Sequence, residues 1–143
     1  MSWGPAPKPS QKALSRPQAA GKPPPAPDWP ALHQAMLQRQ QGLCWASGLP
    51  LGDRVNHHHR RGGAGRTHGL ANLVALRPDW HTLQPYSVHM RPEWARGRGL
   101  IVRQAADPAA VVLWLPDGRP VLLDDEGGFE ELQLGVTDGQ VVR

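Results

Sequence analysis

Three consecutive histidines run directly into two arginines and two glycines, at residues 57–63. An asparagine follows at Asn72 and another histidine at His81. Imidazole nitrogens bind divalent cations and accept protons near neutral pH. Arginine donates a planar fork of hydrogen bonds to phosphate, and glycine lets a backbone approach a ligand closely. A metal ligand, a base and a phosphate clamp within one short stretch favour metal-assisted hydrolysis of a phosphodiester.

Charge is distributed unevenly along the 143 residues, although the formal net charge is only +4. Residues 54–103 carry nine arginines against two acidic residues, a local charge of +7, whereas residues 104–143 sum to −6. A basic middle and an acidic end indicate one anion-binding face. A purely solvated arginine face would produce the same pattern.

The single cysteine, Cys44, excludes an intrachain disulfide and a cysteine-rich zinc site. The sequence contains no apolar stretch long enough to cross a membrane and no signal-peptide core. We therefore expect a cytoplasmic protein without a membrane partner. Cys44 itself is expected to pack in the core, because no cationic neighbour that would activate its thiolate can be identified.

The elements that must position these side chains follow a basic, proline-rich extension at residues 1–29, which is predicted to be disordered. This extension is either a plain linker or an arm that contacts DNA or a partner. A single domain is predicted at residues 30–143. Its first helix is capped by Asp28 or Trp29, has Pro30 in its first turn and ends near Gly42.

The remaining predicted elements are short. Two strands, the second of which contains Asn72, flank a glycine-rich loop. A helix opened by Pro92 stops at Gly99, and a further strand and a hairpin follow it. The predicted strands lie at residues 54–61, 70–76, 100–102, 111–115 and 120–123.

The order of a histidine pair, a glycine-rich loop, Asn-Leu-Val-Ala-Leu and a third histidine resembles the HNH endonucleases, particularly the small ones of bacteriophages. The matching residues are His58, His59, Asn72 and His81. The similarity covers about residues 31–130. It implies an α+β fold with an N-terminal helix, a ββα-metal (His-Me finger) unit at about residues 54–98, and a small antiparallel C-terminal hairpin or sheet.

The chain departs from the family pattern at the zinc ligands, in the short loop between His59 and Asn72, and at the last metal ligand. Many relatives hold a structural zinc ion with two Cys-x-x-Cys pairs, but the corresponding positions here are Cys44, Ser47, Arg77 and Trp80, which cannot form a tetrahedral zinc site. Burial of Trp45 and Trp80 is expected to replace the ion. The last metal ligand of the family usually lies within about one helical turn of the preceding one. Here that place is filled either by His89 or by water or substrate.

The resemblance implies a metal-dependent endonuclease or nickase that hydrolyses phosphodiester bonds of DNA. One divalent ion is expected, Mg or Mn by resemblance, while imidazole ligands also suit Zn, Ni or Co. The expected metal ligands are His58, His81 and His89. The expected catalytic residues are His59 as general base and Asn72 to orient it, and the expected phosphate-binding residues are Arg60, Arg61 and Arg66.

A single site that contains both His58 and His59 requires a distorted strand. Neighbouring residues of a strand point to opposite faces, so His58 and His59 share a site only if the strand end is strongly twisted or bulged. His57 replaces His58 if the register shifts by one. His33 and His68 are expected to be polar surface residues, and the acidic turn that contains Glu126 to be a solvated turn.

The expected partner is DNA and, by resemblance to the phage proteins, the terminase during DNA packaging in the bacterial host cytoplasm. One alternative is a catalytically weak HNH-like module that binds DNA or terminase. Another is a metal-chelating protein without a nucleic-acid role. A histidine-rich exposed turn without a function would also account for the histidines alone.

Overall fold

A computed structural model describes residues 26–133, 135–137 and 140–142 as an α+β fold. Its α-helices are α1 (Trp29–Gln40), α2 (Pro78–His81) and α3 (Pro92–Arg98). Its strands are β1 (Asn56–His59), β2 (Leu73–Leu76), β3 (Leu113–Trp114), β4 (Pro120–Leu123), β5 (Phe129–Glu131), β6 (Gly135–Thr137) and β7 (Gln140–Val142). The strands form three antiparallel sheets, β1–β2, β3–β4–β5 and β6–β7. Most of the predicted N-terminal extension, residues 1–25, lies outside the described residues.

The first helix, α1, forms where the sequence predicts it. The Ala31 N–H donates to Oδ1 of Asp28 at 3.1 Å, and Pro30 occupies the first turn, where an N–H has no helical partner. The helix ends because Gln41 adopts a left-handed φ of 54°. Residue 41 therefore terminates the helix one position before the predicted Gly42.

Polar side chains join α1 to β2. Gln40 is buried, and its side chain bonds both the carbonyl and the N–H of Ala75 at 2.8 Å. Arg39 is also buried and donates to the carbonyls of Leu70 and Leu73. These bonds satisfy backbone groups at the edge of a two-stranded sheet, which would otherwise be buried without partners.

The β1–β2 hairpin has four consecutive residue pairs, from Asn56 with Leu76 to His59 with Leu73. All four residues of β2 are buried, since the strand lies between α1 and the rest of the core. The predicted strand at residues 70–76 is shorter than expected, because residues Leu70–Asn72 form a 3-10 turn before it. Asn72 therefore lies at the entrance of β2 and not within it.

The helix α3 ends at Gly99, as predicted, with a left-handed φ of 78°. A side chain at position 99 would collide with the carbonyl oxygen of Val112, so the two backbones meet directly there. The predicted strand at residues 100–102 is wrong. The N–H groups of Leu100 and Ile101 both bond back to the carbonyl of Ala95, which leaves them in the helix end instead of a sheet.

The predicted C-terminal hairpin is confirmed: its second strand has the predicted bounds, and its first strand is shorter than expected. β3 pairs with β4 through Leu113 with Val121 and Trp114 with Pro120, and the acidic turn at residues 124–128 joins β4 to β5. Leu113, Val121 and Leu123 are buried in one core with Leu73 and Leu100. The described helices include none that is long and apolar enough to cross a membrane.

Candidate metal centre

Three histidines converge on one side of the β1–β2 hairpin. His58 comes from β1, His81 is the last residue of α2, and His89 lies in the 3-10 turn Val88–Met90. One nitrogen of each ring lies within 4.8 Å of the other two, and Nε2 of His81 is 3.1 Å from Nε2 of His89. Nitrogens that share one ion at about 2 Å lie roughly 3 Å apart. We call these residues the histidine trio, and its spacing suits a single metal ion.

Local sequence explains how His81 and His89 meet although they lie eight residues apart. Pro78 begins α2, a single helical turn that ends at His81. The chain then reverses through Leu83, whose φ is 80°. Val88 is completely buried, and this anchor returns His89 to the end of α2. The sequence did not predict α2, because four residues carry no helical periodicity.

His58 is held in one tautomer. Its Nε2 donates to the carbonyl oxygen of Leu100 at 2.6 Å, and a carbonyl can only accept. The lone pair of His58 is therefore on Nδ1. Burial lowers the pKa of His58 to about 3, so the ring is neutral at pH 7, which is the form that binds a metal.

The trio opens to solvent on one side. His58 is buried, His81 is half-buried and His89 is exposed. Burial and, to a smaller extent, His89 lower the pKa of His81 to about 4. Three protein ligands with an open side leave coordination positions for water or substrate, as in catalytic metal sites, whereas structural sites are usually closed by four ligands.

His59 lies on the opposite face of β1 from His58. The four consecutive pairs with β2 leave no room for a bulge, so the local distortion that would place both side chains in one site does not form. His59 packs edge-on against Trp29 at 6.1 Å between ring centroids, and its Nε2 lies 2.9 Å from Nδ1 of His68. Burial, followed by the charge of Arg66, lowers the pKa of His59 to about 4.

A charge on His59 makes a small contribution to the lowered pKa of His58 and of His81, in which burial is the main cause. His57 shares the face of His59. Its ring stacks on Trp29 at 5.5 Å, and its Nε2 lies 2.8 Å from Nδ1 of His33. The register therefore keeps His58 in the trio, and His57 does not replace it.

Asn72 clamps the loop that follows β1. Its side chain is 1% exposed. Its Oδ1 accepts the Arg61 N–H at 2.7 Å, and its Nδ2 donates to the carbonyls of Arg61 and Thr67. Because this loop starts directly after His59 and contains His68, the clamp fixes both histidines relative to each other.

The predicted role of Arg60 in phosphate binding is wrong. Arg60 is 1% exposed, and its guanidinium donates to four backbone carbonyls at 2.8–2.9 Å, those of Gly99, Ala71, Pro108 and Val111. Its donors are thus used inside the protein, and no phosphate can reach them. Arg61 is half-buried and donates to the carbonyl of Ala106 at 3.0 Å, whereas Arg66 is exposed.

The segments at residues 44–47 and 77–80, where the resemblance implied zinc ligands, contact each other directly. Cys44 is fully buried, and its sulfur accepts the N–H of Arg77 at 3.4 Å. Trp45 is buried and packs edge-on against Phe129, while Trp80 packs against Trp94. Apolar packing therefore occupies this part of the molecule.

Sequence reasoning missed two residues that contact the site. His68 pairs with His59, and Asn56 lies on the same face of β1 as His58, with its Nδ2 2.9 Å from Nδ1 of His81. Position 56 precedes His58 by two residues in a strand, which was the available signal for a shared face. The separation of nine positions between His59 and His68 carried no such signal.

The geometry and the sequence pattern are the basis for assigning a function to this site. Comparisons with protein-family models, with curated proteins and with solved structures found no match to the chain.

Proposed function

We propose that the protein is a metal-dependent endonuclease or nickase of the HNH type, which hydrolyses phosphodiester bonds of DNA. The observation that carries the proposal is the convergence of His58, His81 and His89 within 4.8 Å around an open side. The pattern of His58, His59, Asn72 and His81 in the sequence supports the same chemistry. The resemblance to phage proteins extends the proposal to DNA packaging with a terminase in the host cytoplasm.

The donor set of the trio fits a divalent transition-metal ion. Three imidazoles offer neutral nitrogen ligands, which suit Zn, Ni, Co or Mn better than Mg, since Mg prefers oxygen ligands. His58, His81 and His89 would hold the ion. When bound, such an ion offsets the charge of the phosphodiester and stabilises its departing oxygen.

His59 is the general base that the sequence pattern proposes, although its ring lies on the opposite face of β1 from the histidine trio and its pKa is lowered to about 4. When its Nε2 donates to Nδ1 of His68, Nδ1 of His59 keeps a free lone pair that can accept a proton from water. The same bond and the edge-on contact with Trp29 hold the ring in place. Asn72 keeps the loop between His59 and His68 closed.

Arg66 is a proposed phosphate contact. It is exposed, and its charge lowers the pKa of His59. Arg61 keeps part of its guanidinium free, because only Nη1 bonds a carbonyl. Both would contribute affinity without sequence choice, since phosphate contacts do not read bases.

A plasmid assay tests the proposal. Supercoiled DNA is incubated with the protein in EDTA and then with Mn, Ni, Zn or Mg, and nicked and linear products are quantified. We expect cleavage only with an added ion, and a loss of about 100- to 10,000-fold in His59→Ala with ion binding retained. His89→Ala should weaken ion binding itself. His33→Ala is the matched control, since it removes a histidine that pairs with His57 outside the trio.

A catalytically weak module that binds DNA or terminase is the second candidate function. The position of His59 on the opposite face of β1 from His58 favours it, because a base on that face does not share the metal centre. In that case the wild type and the trio variants retain DNA equally at low salt, and none of them cuts it. Ion binding without any retention of DNA would instead indicate a metal-chelating protein.

A further inference from the structure

We propose that Asn56 sets the tautomer of His81 and that its side-chain amide turns over when a divalent ion binds to the histidine trio. The inference rests on the proposed metal centre but does not depend on DNA cleavage. It assigns Asn56 the role of a positioning residue, which acts on the ion through His81.

A chain of hydrogen bonds runs from Asn56 through His81 to His89. Nδ2 of Asn56 lies 2.9 Å from Nδ1 of His81. An amide nitrogen can only donate, so Nδ1 accepts and the ring proton of His81 sits on Nε2. That proton points to Nε2 of His89, 3.1 Å away. In this arrangement Nε2 of His81 carries a proton and has no lone pair for an ion.

Ion binding is incompatible with that tautomer. Nε2 of His81 is the nitrogen that faces His89, and it must offer a lone pair to a shared ion. The ring of His81 therefore changes tautomer: Nε2 loses its proton to solvent, and Nδ1 gains a proton from solvent. The ring carries one proton before and after the change, so it releases no net proton. The new Nδ1–H then faces the donor Nδ2 of Asn56, and two donors at 2.9 Å repel each other.

The side-chain amide of Asn56 resolves the conflict by half a turn about its last rotatable bond. The turn exchanges Nδ2 for Oδ1, which accepts the Nδ1–H of His81. The two groups are similar in size, so the exchange needs no rearrangement of β1. Histidines that bind metals commonly donate their other N–H to an acceptor of this kind, and the acceptor fixes the ring and strengthens the ligand.

His58 provides the contrast within the same trio. The carbonyl of Leu100 accepts from Nε2 of His58 and cannot exchange its role, so His58 has the same tautomer with and without an ion. One ligand is therefore prepared in advance, while the other is switched by Asn56. A carboxylate at position 56 would hold His81 permanently in the ion-binding tautomer, because a carboxylate only accepts.

Zinc titration of the full chain tests the role. Affinities are measured against a competing zinc indicator for the wild type, Asn56→Leu and Asn56→Asp, with thermal unfolding in EDTA as a check of folding. We expect Asn56→Leu, which has a similar shape but no acceptor, to bind zinc about 10- to 100-fold more weakly. Asn56→Asp should bind about tenfold more tightly than the wild type.

Long-range proton–nitrogen correlation spectra of the histidine rings give the second readout. In the wild type, His81 should change from the Nε2–H to the Nδ1–H tautomer on zinc addition, whereas in Asn56→Asp it should be Nδ1–H already in EDTA. His58 should remain Nε2–H throughout and serves as the internal reference. A tighter affinity in Asn56→Asp could come from its added charge alone, but that charge is absent from the wild type and does not explain a change of the His81 tautomer there.

Two results separate this inference from the proposed function. If wild type binds zinc but Asn56→Leu binds it equally well, or if His81 keeps one tautomer, the role of Asn56 is overturned and the metal centre stands. Equal losses of affinity in the Leu and Asp variants also overturn it, since they indicate a structural role. If the wild type does not bind zinc, both the metal centre and this role are wrong.

Discussion

The ring of His58 is titratable and deeply buried, and this combination lowers the free energy of unfolding in acid. The side chain is 2% exposed, and burial lowers its pKa from 6.5 to about 3. Between those two values the unfolded chain binds a proton that the folded protein does not. The lowered pKa therefore removes stability as the pH falls below about 6.5.

Acid should destabilise the ion-free protein well before its carboxylates titrate. We expect the free energy of unfolding in EDTA to fall by about 1.4 kcal/mol per pH unit from His58 alone between pH 6 and pH 4. Urea unfolding at pH 7, 6 and 5 measures this slope. The slope should be shallower in His58→Leu, and an equal slope in both proteins would contradict the assignment.

His68 should matter for the rate of cleavage although it was expected to be plain surface. Removing it in His68→Ala frees the ring of His59 to rotate, so we expect cleavage to slow on the order of a hundredfold with unchanged zinc affinity. Initial rates on supercoiled plasmid measure the effect. His33→Ala removes the equivalent partner of His57 and should leave the rate unchanged. Equal rates in all three proteins would exclude His68 from positioning the base.

At the scale of elements, Arg60 joins the end of β1 to two other parts of the chain. Its guanidinium binds carbonyls at the end of α3 and around the 3-10 turn Pro108–Ala110, and its own carbonyl accepts the N–H of Val102. These contacts position the hairpin that carries His58 against the α3 end that supplies the carbonyl of Leu100.

Arg60→Met should therefore unfold the protein more easily instead of weakening DNA binding alone. The change removes the side-chain donor from the carbonyls of Gly99, Ala71 and Val111, while the carbonyl of Pro108 keeps the N–H of Val111, and we expect a loss on the order of 3 kcal/mol in the free energy of unfolding. Urea unfolding at pH 7 measures it. Arg61→Met is the matched control, because Arg61 is half-buried and its side chain bonds one carbonyl. A loss in Arg61→Met as large as that in Arg60→Met would contradict the proposed clamp.

The elements that the sequence predicts correctly are those with local signals. Asp28 and Pro30 mark the start of α1, and Pro92 and Gly99 bound α3. Arg60 shows the limit, because its neighbours Arg61 and Arg66 have the same charge in the sequence, and only tertiary contacts decide that Arg60 is buried. The turn that contains Asn72 was missed for a similar reason, since its side chain bonds the loop across the hairpin.

The candidate site was predictable to the same extent. The resemblance implied His58 and His81 as metal ligands and left His89 as one alternative, and the structure brings these three rings together. The hydrogen-bond partners of the rings could not be predicted. Leu100 binds His58 through its backbone carbonyl, which every residue type has, and the contact of Asn56 with His81 depends on where α2 ends.

At the scale of the whole molecule, the arginine-rich middle of the chain is followed by an acidic C-terminal region. Arg66 is exposed, whereas Arg119 pairs with Asp117 and Glu131. Phosphate contacts displace bound cations from DNA, so the affinity of a DNA-binding protein falls as salt rises.

Arg66→Gln should weaken DNA binding uniformly across sequences. We expect the slope of log affinity against log salt to decrease in magnitude by about 1. Fluorescence anisotropy in EDTA, where DNA is not cut, measures the slope. Arg119→Gln should leave it unchanged, because its charge is already paired. An equal change in both variants would indicate a general charge effect and not a local contact.

Gly99 separates the demands of folding from those of chemistry. Its left-handed φ and its backbone contact with Val112 admit only a hydrogen atom at that position. In a mutant library sorted only for soluble expression, glycine should therefore be retained at position 99, while substitutions accumulate at the positions of the histidine trio. If the same library is sorted for hydrolysis, the trio histidines should be retained as well. Sequencing the two sorted libraries would then distinguish residues required for folding from those required for activity.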